Sequence, residues 1–184
     1  MDSLENHLLI AMPSLDDSMF NKTVTYICEH NDEGAMGLII NLPVNITLNE
    51  LLAEIDADKE TSPKLEQQVL TGGPVSPSRG FVLHSPQGCW TSSLALSSEV
   101  MITTSKDILE ALGTTKEPSQ YMVTLGYAGW GPGQLEQEIS ANSWLTTPAD
   151  NEILFETPIE ERWKKATEKL GIDIAHLSSD IGHA

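Results

Sequence analysis

The segment from Tyr121 to Ile139 constrains the fold of this chain more than any other. An apolar run, Tyr121-Met-Val-Thr-Leu125, precedes glycines at positions 126, 129, 131 and 133, and the helix-patterned Leu135-Glu-Gln-Glu-Ile139 follows them. A strand, a glycine-rich turn and a helix start often bring backbone N–H groups up to a ligand. The GxxGxGxG spacing matches neither the dinucleotide-binding GxGxxG pattern nor the phosphate-binding GxxxxGK[ST] pattern, which also needs a lysine. The segment therefore predicts a strand–turn–helix unit and leaves its ligand open.

Two interpretations of this turn stand side by side. In the first, the turn is a ligand-binding loop, with Gly129, Trp130, Gly133, Gln134 and Glu136 as candidate site residues. In the second, the glycines let Trp130 pack beneath the strand ends while Glu136 caps the helix. The second interpretation is favoured because Glu136 and Glu138 already supply the negative charge that a helix N-terminus attracts.

Short runs rich in β-branched and aromatic residues recur along the chain and predict strands. The predicted strands are 7–12, 23–30, 35–41, 68–75, 79–84, 90–96, 100–104, 121–125, 144–147 and 153–155. Helices are expected at 48–55, 106–112, directly after the glycine-rich turn and at 158–170, with Thr47, Ser105 and Thr157 as N-caps. Because the strands mostly follow one another directly, the pattern favours an α+β fold over a doubly wound sheet.

Length and composition indicate one soluble domain spanning residues 1–184, with residues 171–184 as a weakly structured tail. The chain carries 27 acidic and 10 basic residues, a formal charge of −17. Such a surface repels phosphate backbones, so direct nucleic-acid binding is not expected, although four of the cations cluster at Arg162–Lys169. No apolar stretch reaches membrane-spanning length, and the acidic N-terminus is unlike a secretory signal. Cys28 and Cys89 fit no metal-binding spacing, so a cytoplasmic location with free thiols and no metal or cofactor is expected.

A second glycine cluster, Thr71-Gly-Gly-Pro-Val-Ser-Pro-Ser-Arg-Gly80, adds Gly72, Gly73 and Arg79 to the candidate site residues. Arg79 is the only arginine in the first 161 residues, and its guanidinium suits a bidentate carboxylate or phosphate. The favoured interpretation is an ion pair with the protein's own abundant acids.

Two histidines, His30 and His84, each end a predicted strand. Strict alternation places Cys28 and His30 on one face of the strand, which would allow a thiol–imidazole pair or half of a metal site. The favoured interpretation is structural, with Cys28 as a small buried hydrophobe and His30 bonded to turn backbone. Glu29 and His84 complete the set of candidate site residues. No GxSxG motif or other ordered nucleophile–base pattern is present.

Taken together, four motifs resemble the AlgH/YqgE family of bacterial proteins over about residues 6–170. The motifs are Leu8-Leu-Ile-Ala-Met-Pro13; Glu29-His30 with Gly34-Ala-Met-Gly-Leu-Ile-Ile-Asn-Leu-Pro43; Gly72-Gly-Pro-Val75 with Gly80-Phe-Val-Leu-His84; and Gly126-Tyr-Ala-Gly-Trp-Gly-Pro-Gly-Gln-Leu-Glu136 with Asn142-Ser-Trp-Leu145. The chain departs from the family at Asp17-Ser18, where Asp-Pro is frequent, which affects only the rigidity of that turn.

The resemblance implies an α+β domain whose split, strongly bent and mainly antiparallel sheet forms a barrel-like core flanked by a few short helices. It implies a cytosolic protein without an established biochemical activity, from a family often labelled as transcriptional regulators. The motif positions fall on Glu29, His30, Gly34, Gly37, Asn41, Gly72, Gly73, Pro74, His84, Gly126, Gly129, Trp130, Gly133, Gln134 and Glu136.

Three functional hypotheses follow from the residues and the resemblance. The leading hypothesis is a non-enzymatic binding or regulatory domain whose partner is an unknown protein or small molecule. The alternative is a hydrolase or transferase that uses His30, His84, Glu29 and Arg79 in a cleft between the two glycine clusters. It requires these four side chains to converge. The third hypothesis, a DNA-binding regulator, lacks a helix-turn-helix pattern and a basic recognition face.

Overall fold

The computed structural model of the protein describes residues 2–12 and 21–171. The predicted turn at 14–18, with Asp17-Ser18, and all but the first residue of the predicted tail lie outside the described residues. The strands are β1 (His7–Ala11), β2 (Val24–Asn31), β3 (Gly34–Ile39), β4 (Pro43–Thr47), β5 (Gln68–Thr71), β6 (Val75–His84), β7 (Ser93–Ala95), β8 (Met101–Thr103), β9 (Tyr121–Trp130) and β10 (Trp144–Pro148). The α-helices are α1 (Leu48–Ile55), α2 (Lys106–Ala111), α3 (Gln134–Ser140) and α4 (Arg162–Lys169).

One sheet organises the described part of the chain. Its strands run in the order β10-β1-β2-β3-β9-β6-β8-β7, and all neighbours along this path are antiparallel. Strands β4 and β5 form a short antiparallel pair, which joins the sheet through a parallel contact between β5 and β9. Strand β9 lies at the centre because it pairs with β3, β5 and β6.

The sheet curls strongly. Strands β2 and β7 are five steps apart in the strand order, about 24 Å in a flat sheet with ~4.8 Å between neighbours. In the structure, Cys28 of β2 and Leu94 of β7 nevertheless line the same cleft. The result is an antiparallel half-barrel with a few short helices around it, which confirms the α+β prediction.

The concave interior of the half-barrel holds the largest apolar cluster. Tyr26, Leu38 and Leu83 are fully buried there, and Trp163 of α4 packs against them from one end. The indole N–H of Trp163 donates to the carbonyl oxygen of Ala11 at 3.0 Å, which ties α4 to β1. Helices α1 and α2 bury their apolar stripes on the convex side, and α3 does so against a third cluster.

The end of the barrel covered by α4 also contains a buried charge. Arg162 donates to the carbonyl oxygens of Thr157 and Ile40, and burial lowers the pKa of its guanidinium to about 10. The bond to Ile40 joins the start of α4 to the segment after β3, and the bond to Thr157 holds the segment that precedes α4.

Helix boundaries agree with the sequence in part. Thr47 caps α1 as predicted, since its side-chain oxygen accepts from the backbone N–H of Glu50 at 3.3 Å. The predicted strand at 153–155 is wrong: residues Glu152–Glu156 form a π-helical turn, closed by hydrogen bonds from Thr157 to the carbonyl of Glu152. The backbone N–H and the hydroxyl of Thr157 are therefore both bonded to Glu152, and Thr157 does not cap the last helix. That helix begins as a 3₁₀ turn at Ile159–Glu161.

The predicted boundary at residue 125 is also wrong. Strand β9 continues through the first two glycines of the glycine-rich segment and ends at Trp130. Only residues 131–133 form a turn before α3.

No helix within residues 2–12 and 21–171 has the length and apolar character needed to cross a membrane.

Candidate functional site

The two glycine clusters contact each other. A Cβ atom on Gly72 would lie 2.4 Å from the carbonyl oxygen of Gly126, and one on Gly126 would lie 2.5 Å from the carbonyl oxygen of Gly73. Gly126 has a φ of +78° and Gly73 a φ of +153°, which side chains rarely adopt. These glycines are therefore explained by close backbone packing between the β5–β6 connection and the centre of β9.

Trp130 belongs to the core, as the structural interpretation predicts. It is 7% exposed and meets Trp144 edge-on, with 6.2 Å between the ring centroids. Both indole N–H groups donate to Oε1 of Glu138, at 3.2 Å from Trp130 and 3.0 Å from Trp144. The other oxygen of Glu138 accepts from Nε2 of Gln134 at 2.9 Å.

Gln134 also closes the turn that precedes α3. Its Oε1 accepts from the backbone N–H of Gly131 at 2.9 Å, while Gly133 takes a left-handed conformation at the N-cap. Glu138, which receives three side-chain hydrogen bonds, was missed by the sequence analysis as a structural residue. The signal was present, because Gln134 and Glu138 are spaced i, i+4 on a helix flanked by two tryptophans.

His30 is held at both ring nitrogens. Its Nδ1 accepts from the backbone N–H of Leu4 at 2.9 Å, so the ring proton resides on Nε2 and is donated to Oε1 of Glu136. This bond holds the pKa of the Glu136 carboxyl below its usual range. Glu136 was predicted to cap α3, and the structure instead directs its carboxylate from α3 to His30 of β2.

A β-bulge at Cys28 separates the side chains of Cys28 and His30. The register shifts between the pairs Ile27–Gly37 and Glu29–Met36, so Cys28 is the extra residue. Cys28 packs in the interior cluster, whereas His30 lines a cleft on the other side of the sheet with Glu136. The predicted common face is therefore wrong. Burial raises the pKa of the Cys28 thiol, which keeps it protonated and unreactive.

His84 is fully buried near the far end of β9. Its Nδ1–H donates to the carbonyl oxygen of Ser85 at 2.7 Å, and its Nε2 accepts from the hydroxyl of Thr103 at 2.7 Å. Because the Thr103 proton is used in this way, the hydroxyl of Ser93 donates to Thr103 at 2.8 Å. Burial lowers the pKa of His84, so the ring is neutral, and protonating it here would bury an unpaired charge.

The two imidazoles lie at opposite ends of β9. His84 pairs with Tyr121 at the start of the strand, whereas His30 pairs with Ala35, which pairs with Trp130 at its end. The convergent site of His30, His84, Glu29 and Arg79 predicted for a hydrolase or transferase is therefore wrong.

Arg79 lies in the open and was predicted to form an ion pair. No carboxylate of the described residues pairs with it, so that prediction is wrong. Its guanidinium carbon instead lies 5.2 Å from the centroid of the Phe81 ring, a cation–π distance. Phe81 in turn meets Tyr127 edge-on at 5.9 Å.

Among the predicted site residues, Glu29 and Arg79 line a common cavity, to which Gly129 and Trp130 also contribute. The predicted His30, Gly133 and Glu136 line a separate cleft. The bulge turns the exposed Glu29 towards the concave side, opposite Met36. Two clefts of about 670 and 720 Å³ open there and share Glu29, Met36 and Arg79 in their walls. We refer to the two clefts together as the mouth groove. The first cleft extends towards Val75, Phe81, Tyr127 and Gly129, the last of which the sequence analysis named as a candidate site residue. The second cleft extends towards Glu5 and residues 92–96.

The mouth groove has an apolar surface that the sequence analysis did not identify. The exposed large hydrophobic residues in the described part of the chain are Ile55, Val75 and Leu94. Two of them, Val75 and Leu94, line the groove, and Leu94 is 61% exposed. Residues 2–12 and 21–171 contain no cluster of three or more His, Cys, Asp or Glu side chains arranged to hold a metal ion.

The comparisons with known proteins agree on one family. A family model described as AlgH-like matches residues 8–175. The chain is 66% identical to a UPF0301 protein of Colwellia psychrerythraea and 57% identical to one of Pseudoalteromonas translucida, each over the full length of both chains. The solution structure of the AlgH protein from Pseudomonas aeruginosa superimposes with a TM-score of 0.80 at 43% identity, covering 97% of this chain and 96% of that one.

A crystal structure of a protein from Corynebacterium diphtheriae shares the fold at 20% identity, with a TM-score of 0.72 over 97% of this chain and 93% of the other. The family match and the full-length relatives confirm the resemblance that the four motifs indicated. The chain belongs to the AlgH-like family.

Proposed function

We propose that the protein is a cytoplasmic, non-enzymatic binding domain that regulates a partner protein by holding a segment of it in the mouth groove. The observation that carries this proposal is the groove itself, an open depression with the exposed apolar side chains of Val75 and Leu94 in its walls. Elsewhere on the described surface, the exposed large hydrophobic is Ile55 alone. Large apolar side chains that are exposed in the walls of a groove are typical of interaction sites.

The shape and composition of the groove suit a polypeptide segment. Each cleft falls within the range of volumes usual for ligand sites, about 300–1,000 Å³. Both are open and mixed in polarity, and Met36 and Phe81 line the first cleft together with Glu29 and Arg79. A small metabolite is usually enclosed on most sides, whereas an extended chain needs a long, accessible surface.

The state of the two histidines supports a role without catalysis. A general base needs a free acceptor nitrogen within hydrogen-bond reach of its substrate. The acceptor nitrogens of His30 and His84 are taken by Leu4 and Thr103, and neither histidine lines the mouth groove.

The charge of the chain argues for regulation through protein contact, without direct binding to DNA. With a formal charge of −17, the protein gains little from the counterion release that drives association with nucleic acids. An effect on transcription would then pass through a protein partner that carries the bound segment.

A matched pair of variants tests the proposal. Peptides are selected from a random library against the wild-type protein, and their affinities are measured by calorimetry for the wild type, Leu94→Gln and Ile55→Gln. Both substitutions remove one exposed apolar side chain without changing the net charge, but only Leu94 lies in the groove. We expect Leu94→Gln to weaken binding by about tenfold and Ile55→Gln to leave it unchanged.

The proposal is wrong if the selected peptides bind both variants as well as the wild type, or if no selected peptide binds. Turnover of a substrate by the purified protein, abolished by a substitution in the groove, would equally overturn the non-enzymatic assignment.

A further inference from the structure

The free edge of β7 lies along the mouth groove. β7 ends the strand order, and its pairing within the described residues is with β8 alone. In its antiparallel ladder, Leu96 N–H donates to Val100 and the carbonyl of Ser92 accepts from Thr104. Because the direction of these groups alternates, the N–H and C=O groups of Ser93 and Ala95 point away from β8. They form no hydrogen bond in the described part of the chain.

The opposite wall of the groove comes from the other end of the curled sheet. Glu5, Cys28 and Glu29 face residues 92–96 of the β7 region across the cleft of about 720 Å³. The half-barrel is therefore open along a line bordered on one side by a strand edge with unused donors and acceptors. An extended chain is the structural element that matches such an edge.

The side chains around this opening define the chemistry of the occupant. Leu94 pairs with Ile102 on the concave side and offers an apolar contact beside the edge. Glu5, Glu29 and Glu33 are exposed in the groove walls, against the single cation Arg79. The chain as a whole carries a formal charge of −17, so its field also attracts cations.

We propose that the mouth groove binds an extended basic segment of a partner protein as an additional strand on β7. Backbone groups of Ser93 and Ala95 pair with the added strand, its inward apolar side chain rests on Leu94, and inward lysine or arginine side chains reach Glu29 and Glu5. This inference rests on the proposed function and adds to it the binding mode and the charge of the partner.

Nuclear magnetic resonance on the full-length protein tests the binding mode. The probe is the capped heptapeptide Thr-Lys-Thr-Val-Thr-Lys-Thr, and the control peptide carries Glu in place of both Lys. We expect the amide signals of Ser93 and Ala95 to shift and gain protection from hydrogen exchange with the probe. The control peptide should bind at least about tenfold more weakly, and added salt should weaken binding of the probe peptide.

Two variants separate edge pairing from contact with the groove alone. Ala95→Pro removes an outward N–H while leaving the β8 ladder intact, which edge strands tolerate. Ala95→Ser keeps that N–H and serves as the matched control. We expect Ala95→Pro to weaken binding of the probe by about tenfold, and Ala95→Ser to have no effect.

Each other outcome overturns a defined part of the inference. If the probe binds and Leu94→Gln weakens it but Ala95→Pro does not, strand addition is wrong and the proposed function stands. If the probe fails to bind while library-selected peptides do, the basic extended partner is wrong. Protection of the Ser93 and Ala95 amides in the free protein at all concentrations would show the edge already paired within the chain. Protection that appears only as concentration rises would identify the occupant as a second copy.

Discussion

Gly126 and Gly73 pack backbone against backbone, so that a Cβ on Gly126 would lie 2.5 Å from the carbonyl oxygen of Gly73. Their contact joins the two glycine clusters that the sequence displays as separate motifs. The clusters are therefore one packing arrangement at the centre of the sheet, where the β5–β6 connection crosses β9.

Replacing Gly126 by alanine is expected to destabilise the protein by about 2–4 kcal/mol, because the new Cβ meets backbone and the φ of +78° disfavours a side chain. Gly129→Ala is the matched control on the same strand, since its Cβ would meet only the Tyr127 ring, at 3.7 Å. Urea unfolding of the two variants checks the prediction. Equal stabilities for both would contradict the packing role of Gly126.

Glu138 is expected to be essential for the region around the two tryptophans. Glu138→Ala leaves the indole N–H groups of Trp130 and Trp144 without this acceptor, at an expected cost of about 2–4 kcal/mol. Glu138→Gln retains one acceptor oxygen for both indoles and should cost about 1 kcal/mol. Unfolding monitored by tryptophan fluorescence distinguishes the two variants. If Glu138→Ala leaves the free energy of unfolding unchanged, Glu138 does not stabilise the region around the two tryptophans.

The sequence predicted the fold class and most strand positions because alternating apolar residues and direct strand succession are local signals. It placed Trp130 in the core for the same reason, since a large aromatic residue next to glycines has room to pack. The sequence analysis ended β9 too early because closely spaced glycines are typical of turns. Their place inside a strand becomes clear only when the neighbouring β5–β6 connection, which packs against Gly126, is known.

The candidate site was predicted less well, and the bulge at Cys28 shows why. One extra residue reverses the alternation of β2, turning Glu29 to the concave side and His30 to the convex side. No local pattern in Tyr26–His30 specifies that insertion. The separation of His30 from His84 likewise depends on the strand order. His84 pairs with the start of β9, whereas His30 pairs with Ala35 of β3, which pairs with the end of β9.

The hydrogen bond from His30 to Glu136 is expected to control the titration of that carboxyl. Since Nε2–H of His30 lowers the pKa of Glu136, His30→Ala should return that pKa towards its usual value. Carbon-detected titration of the Glu136 carboxyl by nuclear magnetic resonance measures the change. An unaltered titration in a variant that retains the wild-type spectrum elsewhere would show that the bond does not form in solution.

The same method identifies the tautomer of His30. Because Leu4 N–H donates to Nδ1 at 2.9 Å, the nitrogen shifts should report a neutral ring protonated at Nε2. A ring protonated at Nδ1 would be incompatible with this contact.

His84 is expected to make folding stability depend on pH in the mildly acidic range. Its pKa is lowered in the folded state, so the unfolded chain binds the proton more readily. The contribution of neutral His84 to the free energy of unfolding is therefore fully present above the unfolded pKa of about 6.5. As the pH drops below that value, the free energy of unfolding falls by up to about 1.4 kcal/mol per pH unit for one group. His84→Gln, which offers an acceptor and a donor but does not titrate, should lower stability at pH 7 and flatten this slope. Urea unfolding at intervals between pH 7 and pH 5 measures both effects. A variant whose slope equals that of the wild type would assign the acid sensitivity to other groups and remove His84 from this role.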